Sequence, residues 1–546
     1  MEDIKDINVY NEIKLKYTPR PEQTELLNFT IDSIKSNKKF ILCDAAVGIG
    51  KSYYAVMFMD WFQKNYDQTA QFDILTNSKI LQEQYTNDFE FMNSLWGKGS
   101  YHCDQYDTDC STGSEFCKIQ KTECDFCPYK EAKYNFETND VALTNYHLFL
   151  TYMLYMPQAW KRSSRVLIID EAGDFENVVC DFINTKISKP LLKMNGFDDG
   201  EITQALQVFG KNPEDLDIKT FATIVNNEFI PIAKRVFNRL SRQGETDIKS
   251  LKKAQSLGNN LLKWESLLKE YEEDPDNWVL ECEFIKKYNK ENKLTDSYYE
   301  MSAEAVWSDK HLKNKVFSKY DYVIMMSGTL LSKNHIAQYN GFEPEEASYI
   351  QMESPFDVKN RQIYFFKNLG KQTYSSKKIT WSKQKPILEK ILKKHKKDKG
   401  IIHTANYEIQ SWINEQILED RLLAPVTENR NEMLQYHYQS KDATVLVSPS
   451  MISGVDLKSD YSRFQVIVKI PYPNLGSKKI KKRMETRPDW YNWKTVSDII
   501  QSYGRSVRNE NDYAKTYILD GAFANVLKYN NHLFPQWFLE AINYVD

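Results

Sequence analysis

The sequence predicts an α/β protein of two parallel-sheet domains in tandem, the first interrupted by a small cysteine-rich metal module and by a mainly helical insertion. Three observations predict it. Short apolar runs recur along the chain and stop at polar or small residues, they fall into two sets, and two stretches inside the first set lack them. The first set comprises Phe40 to Cys43, Phe72 to Leu75, Val141 to Thr144, Val166 to Ile169 and Val323 to Met326. The second comprises Gly400 to His403, Thr444 to Val447, Val466 to Ile470 and Thr516 to Leu519. Runs of this length suit strands buried on both faces, whose sheets bind ligands beyond the strands' carboxyl ends.

The 546 residues exceed what one compact core accommodates. The expected parts are 1–95, 131–180 and 308–345 for the first sheet domain, 96–130 for the cysteine module, 181–307 for the insertion and 346–546 for the second sheet domain. From about Trp96 to Tyr129 the chain is loop-rich in character, so the module needs something other than a hydrophobic core to hold it. In the insertion Leu251, Ala254, Leu257, Leu261, Trp264, Leu268 and Tyr271 recur every three or four positions, the period of an amphipathic helix.

Composition narrows the class. With 41% hydrophobic and 27% charged residues, and no apolar run near the roughly 20 residues of a membrane span, a soluble protein is expected. The charged stretch Met1 to Lys14 lacks the apolar run of a secretory signal, which points to a cytoplasmic protein without disulfides. A net charge of −3 excludes a globally basic nucleic-acid binder and confines any such surface to local patches. Lys393 to Lys399 and Lys478 to Arg483 are candidate phosphate contacts, with a solvated face as the ordinary alternative.

The octet Ala45-Ala46-Val47-Gly48-Ile49-Gly50-Lys51-Ser52 lies between a predicted strand and a predicted helix, where backbone N–H groups can wrap phosphate oxygens. Gly48 and Gly50 let the backbone approach closely, Lys51 suits the β- and γ-phosphates of ATP, and the Ser52 hydroxyl suits Mg²⁺. Position 45 carries Ala where the strict pattern has Gly. The run Val166 to Ala172 supplies two acids at a strand end, Asp170 to hold the metal and Glu171 to activate water. In the segment Gln501 to Arg508, the spacing i, i+4 and i+7 puts Gln501, Arg505 and Arg508 on one face of an expected helix. Two guanidinium groups there would face the γ-phosphate from the second domain.

In this order the three elements resemble those of the superfamily 2 helicases, and further stretches narrow the resemblance to the XPD/DinG-like branch. Tyr17 to Gln23 resembles the branch's adenine-side element, with Arg20 and Gln23 at the matching places. Leu75-Thr76-Asn77-Ser78 is similar to motif Ia, Asn145-Tyr146-His147 to the stretch before the acidic motif, Ser327-Gly328-Thr329-Leu330 to motif III, and Ser354-Pro355-Phe356 to the tripeptide that follows it. His403 to Tyr407 resembles motif IV and Ser453 to Leu457 motif V, which implies nucleotide contacts from Gly454 and Asp456. Gly173 departs from the branch, which carries His there and uses it as a relay to motif III.

The resemblance covers nearly the whole chain and implies two RecA-like domains forming an ATP-dependent DNA helicase. Its expected partners are single-stranded and forked DNA, tracked 5′ to 3′ by a monomer, with Thr76, Asn77, Thr404 and Tyr407 as nucleic-acid contacts. The same motifs serve ATPases that remodel RNA or protein–DNA complexes without unwinding.

Five of the eight cysteines, Cys103, Cys110, Cys117, Cys124 and Cys127, fall in the module. Spacing suits zinc or a [4Fe–4S] cluster, each of which takes four. The branch carries a [4Fe–4S] module at this place in the chain. By resemblance Cys103 matches its first ligand and Cys127 its last, Cys117 is favoured between them, and Cys110 and Cys124 compete for the remaining position.

Overall fold

The computed structural model describes residues 18–46, 48–122, 124, 126–288, 293–451, 455, 457, 459–504, 506–507 and 512–546. Two seven-stranded sheets organise it. The first runs Ala347–Met352, Phe40–Ala45, Tyr322–Ser327, Val166–Asp170, Phe72–Thr76, Val141–Asn145 and Asn93–Leu95, every neighbour parallel. The second runs Leu422–Leu423, Val445–Ser448, Gly400–His403, Phe464–Ile467, Lys515–Ile518, Ile363–Phe366 and Ile542–Val545, also parallel. All nine expected strands are present, with ends shifted by a few residues. The central ones are apolar on both faces because helices cover both, so their side chains are buried without alternation.

Three features differ from expectation. The strand Ala347–Met352 pairs with Phe40–Ala45, so the first sheet reaches past the boundary expected at residue 345. Between residues 181 and 307 the helices are joined by an antiparallel sheet of Thr185–Ser188, Leu294–Ala305 and Trp278–Tyr288. In the long helix Ile248–Glu273 the buried stripe passes through Leu267 and Glu270, while Leu268 and Tyr271 pack at its margin.

The third concerns Lys478 to Arg483, where Lys479 and Arg483 turn inward instead of forming one solvated face. In the helix Lys478–Thr486, Glu281 accepts from the N–H groups of Lys478 and Lys479, Lys479 pairs with Asp181 at 3.2 Å, and Arg483 is wholly buried. The Arg483 guanidinium donates to Glu176 Oε1 (2.9 Å), Asn177 Oδ1 (2.8 Å) and the Val306 carbonyl (2.7 Å), between the rings of Trp307 and Trp490. An arginine here is tolerated because its donors are met and its flat faces lie on indoles. Its partners come from residues 176–307, so this cation joins the two halves of the chain.

Removing one member of a buried pair strands the other charge. Arg483→Ala is expected to lower unfolding stability by about 3–5 kcal/mol, against under about 1 kcal/mol for breaking the solvent-exposed Lys234–Glu265 pair with Lys234→Ala. Denaturant melts of both variants check the difference.

Candidate functional site

Strand order brings the candidate residues to one edge. Tyr322–Ser327 lies between Phe40–Ala45 and Val166–Asp170, with Asp44 opposite Ser327 and Met326 opposite Asp170. The octet, the Ser327 to Leu330 turn and the acidic loop therefore leave the sheet side by side, at the carboxyl ends where such sheets bind ligands.

In the octet Gly48 and Gly50 have φ of 92° and 86°, the left-handed region that favours glycine. A Cβ on Gly48 would sit 2.0 Å from the Phe356 ring, and one on Gly50 would sit 2.3 Å from the Gln23 amide. Gln23 is fully buried, accepts from the Arg20 N–H (2.9 Å) and donates to the Gly50 carbonyl (3.1 Å), while the Arg20 guanidinium donates to the Gly48 carbonyl. These two side chains brace the loop from the start of the helix Pro21–Lys35. Lys51 opens the helix Lys51–Asn65 and donates to the Ala45 carbonyl (3.3 Å). Gly50 caps that helix without a side-chain hydrogen bond, and unsatisfied N–H groups of a first turn favour an anion. Ala46 and Ile49 are buried and Ser52 is half-buried; Val47 lies outside the described residues.

Asp170 is 4% exposed. Its carboxylate accepts from the Tyr85 hydroxyl (2.9 Å) and the Glu171 N–H (3.0 Å), and its carbonyl accepts from the Tyr146 hydroxyl. Burial, then the neighbouring Glu171 charge, pushes the Asp170 carboxyl up to about 6, and the Lys51 cation pulls against them. Glu171 has φ 59°, a left-handed conformation that costs a non-glycine residue about 1 kcal/mol or more and recurs in functional loops.

Gly173 packs directly on the motif III turn. A Cβ there would lie 2.5 Å from Thr329 Oγ1 and 3.0 Å from Ser327 Oγ, and those two hydroxyls are 3.1 Å apart. The turn occupies the space a side chain at 173 would need.

Gln501 belongs to the helix Asp489–Tyr503, which stops at Tyr503 with Gly504 as its C-cap. The expectation of Gln501, Arg505 and Arg508 on one helix face is therefore corrected: Ser506 and Val507 are not helical, and Arg505 and Arg508 lie outside the described residues. Gly454 and Asp456 lie outside them too. Thr76 and Thr404 are buried, and their hydroxyls donate to the carbonyls of Ser78 (3.2 Å) and Asn406 (3.1 Å), so they shape matching turns in the two sheets. Asn77 is half-buried and Tyr407 is exposed.

Two family models match the chain: the type III restriction enzyme res subunit over residues 16–183 and the helicase C-terminal domain over residues 383–541. They cover the octet, the acidic loop and the Gln501 helix, leave the motif III turn and Phe356 between them, and together span more than half the chain. The chain belongs to the superfamily 2 helicases. Its fold is that of the XPD branch: a solved structure titled XPD_Helicase superposes with a TM-score of 0.66 at 16% identity, covering 97% of this chain and all of that one. The S. tokodaii Xpd4 structure gives 0.58 at 14% identity over 96% of this chain. Among curated proteins, the regulator of telomere elongation helicase 1 homolog of Caenorhabditis briggsae is 26% identical over 109 residues, 17% of this chain and 11% of that protein. The match thus spans about a tenth of that relative's length.

In this helicase the five module cysteines line one cavity of about 260 Å³, together with Lys98, Lys118 and Lys130. Cys117 and Cys124 sulfurs are 3.4 Å apart, and desolvation pushes the Cys110 thiol up to about 11 and the Cys124 thiol up to about 12. Among the described residues no three His, Cys, Asp or Glu side chains are grouped closely enough to hold a metal ion. All eight cysteines are free, and no described helix is long and apolar enough to cross a membrane.

The module and the insertion touch through Gln255 to the Ser111 carbonyl (2.9 Å) and through Lys252 to Asp109 (2.9 Å). These contacts close a cavity of about 840 Å³ whose lining includes Lys98, Lys118, Tyr152, Tyr155, Phe182 and Lys263.

Three site residues were missed in the sequence. Tyr85 acts on Asp170 from the helix Lys79–Asp88 and carries no local signal; Tyr146 acts from the start of the helix Tyr146–Leu150, inside the Asn145 to His147 stretch but with no role assigned to it there. Asp44 had one, an acid inside an otherwise apolar strand.

Restoring the branch's histidine should harm this helicase. Gly173→His is expected to displace Thr329, lower stability by about 1–3 kcal/mol and reduce ATP turnover; a thermal melt and an ATPase assay check it, and unchanged values would show that the turn yields.

Proposed function

We propose that this enzyme binds ATP and Mg²⁺ at the octet edge and uses hydrolysis to move 5′ to 3′ along single-stranded DNA and separate forks. The observation that carries this is the side-by-side exit of the octet, the motif III turn and the acidic loop from adjacent strands. In this function Lys51 and the first-turn N–H groups take the phosphates, Ser52 and Asp170 hold Mg²⁺, and Glu171 orients the attacking water. Arg20 and Gln23 act by holding the loop, and Gln501, Arg505 and Arg508 act on the γ-phosphate from the second domain. The raised Asp170 carboxyl must lose its proton before it can take a cation, so Mg²⁺ affinity falls as pH drops through about 6.

The strand would thread the cavity between module and insertion. Lys98, Lys118 and Lys263 would meet phosphates, and Tyr152, Tyr155 and Phe182 would stack bases with little sequence preference. Position in the chain and the resemblance to the XPD/DinG-like branch favour a [4Fe–4S] cluster over zinc for the five thiols that line one cavity. Cys103, Cys117 and Cys127 with either Cys110 or Cys124 would hold it. The cluster supplies structure to a segment with a small core of its own.

Metal analysis under anaerobic conditions, paired with strand displacement on forks of both polarities, tests the proposal. The expected outcome is about four irons per chain and ATP-dependent separation of 5′-tailed forks, lost in Lys51→Ala. ATP turnover without separation in either polarity, with stoichiometric zinc, would support a remodelling ATPase instead.

A further inference from the structure

The helix Asp489–Tyr503 is anchored in both halves of the molecule. At its start Trp490 packs against Trp307, Trp493 packs against Tyr339, and Trp493 Nε1 donates to the Leu330 carbonyl (3.0 Å) in the motif III turn. At its end the Tyr503 carbonyl accepts from Gln465 of the second sheet (2.7 Å), and the Tyr503 hydroxyl donates to the Arg361 carbonyl (2.7 Å). Any change in the relation of the two sheets must pass through this helix or bend it.

Between these anchors Lys494, Asp498 and Gln501 follow at i, i+4 and i+7, on one face. Lys494 Nζ lies 2.9 Å from Asp498 Oδ1 and 3.3 Å from Asp174 Oδ1, with its side chain only 20% exposed. The Asp498 contact is internal to the helix and would form without the rest of the protein. The Asp174 contact is different: it ties the helix to the loop that carries Asp170, Glu171 and Gly173. Because residue 173 has no side chain, this ion pair is a direct side-chain link from the acidic loop to the Gln501 helix. An ammonium within reach of two carboxylates can tighten on either one as the acidic loop and the helix move.

We propose that Lys494 is a positioning residue: through Asp174 it links the acidic loop to the Gln501 helix, and so carries changes at the nucleotide site to the second sheet domain. This rests on the ATPase function proposed above. When nucleotide chemistry shifts the acidic loop, Asp174 moves and Lys494 trades it against Asp498, which turns or slides the helix between its two anchors.

The test uses full-length protein with Lys494→Gln, Asp174→Asn and Lys494→Arg, and reads strands separated per ATP hydrolysed, alongside nucleotide affinity and melting temperature. Lys494→Gln and Asp174→Asn are expected to lower that ratio about tenfold while nucleotide affinity and melting temperature hold, and Lys494→Arg, which keeps the cation, is expected to stay within about twofold of the unmodified protein. An unchanged ratio in Lys494→Gln, or a ratio that falls only in step with the melting temperature, would overturn the proposal. An unmodified protein that hydrolyses no ATP would overturn the ATPase function itself, so the two failures are distinct.

Discussion

Asp44 ends the apolar part of the strand Phe40–Ala45 with a carboxylate that is 3% exposed, and its oxygens accept from the N–H groups of Leu330 (3.3 Å) and Leu331 (2.9 Å), the Tyr349 hydroxyl (2.8 Å) and the Gln351 amide (3.0 Å). Taking a carboxylate out of water costs several kcal/mol unless its lone pairs are filled, so strand, motif III turn and edge strand must assemble around it together. Burial pushes Asp44 above the ordinary carboxylate range while its four donors pull it back. The phosphate octet starts at the next residue. Its position relative to Ser327 and Thr329 therefore follows from how this one acid is satisfied, and so does the close seat of Gly173 on the turn.

From that edge the contacts radiate to the second half. Phe356, in the segment joining the halves, lies over Gly48. Across a narrow cleft of about 30 Å³, Ala46 and Phe356 meet Tyr503, Gly504 and Trp537. The Arg483 cation, sandwiched between two tryptophans, holds the helix before Asp489–Tyr503 to residues 176–307. The octet is thus bordered by elements of both sheets, which is the arrangement a nucleotide needs if its state is to alter how they meet.

Much of this was legible in the sequence because the signals were local. Uninterrupted apolar runs marked strands whose two faces are covered, and a glycine pair before Lys51 marked a loop whose backbone can approach closely. Several strands that escaped notice lie at edges or in the antiparallel insertion, where Ala347–Met352, Ile542–Val545 and Leu294–Ala305 mix polar with apolar residues, while Ile363–Phe366, flanked on both sides, was overlooked although it is apolar. The end of the Gln501 helix was misjudged because spacing was weighed above Gly504, a residue that commonly follows a helix. Arg483 looked like surface charge because its partners Glu176 and Trp307 stand well over a hundred residues away. The five module cysteines gather around one cavity, as their clustering in the sequence suggested.

The central claim is that nucleotide at the octet edge controls how the two sheet domains meet. Intramolecular energy transfer between dyes on exposed positions of each, Ile80 in the first and Tyr436 in the second, measures this directly. The account predicts that a non-hydrolysable ATP analogue with single-stranded DNA shifts the dye separation to a new value, and that ADP returns it. A separation that is identical with and without nucleotide, in protein that binds both ligands, would contradict it.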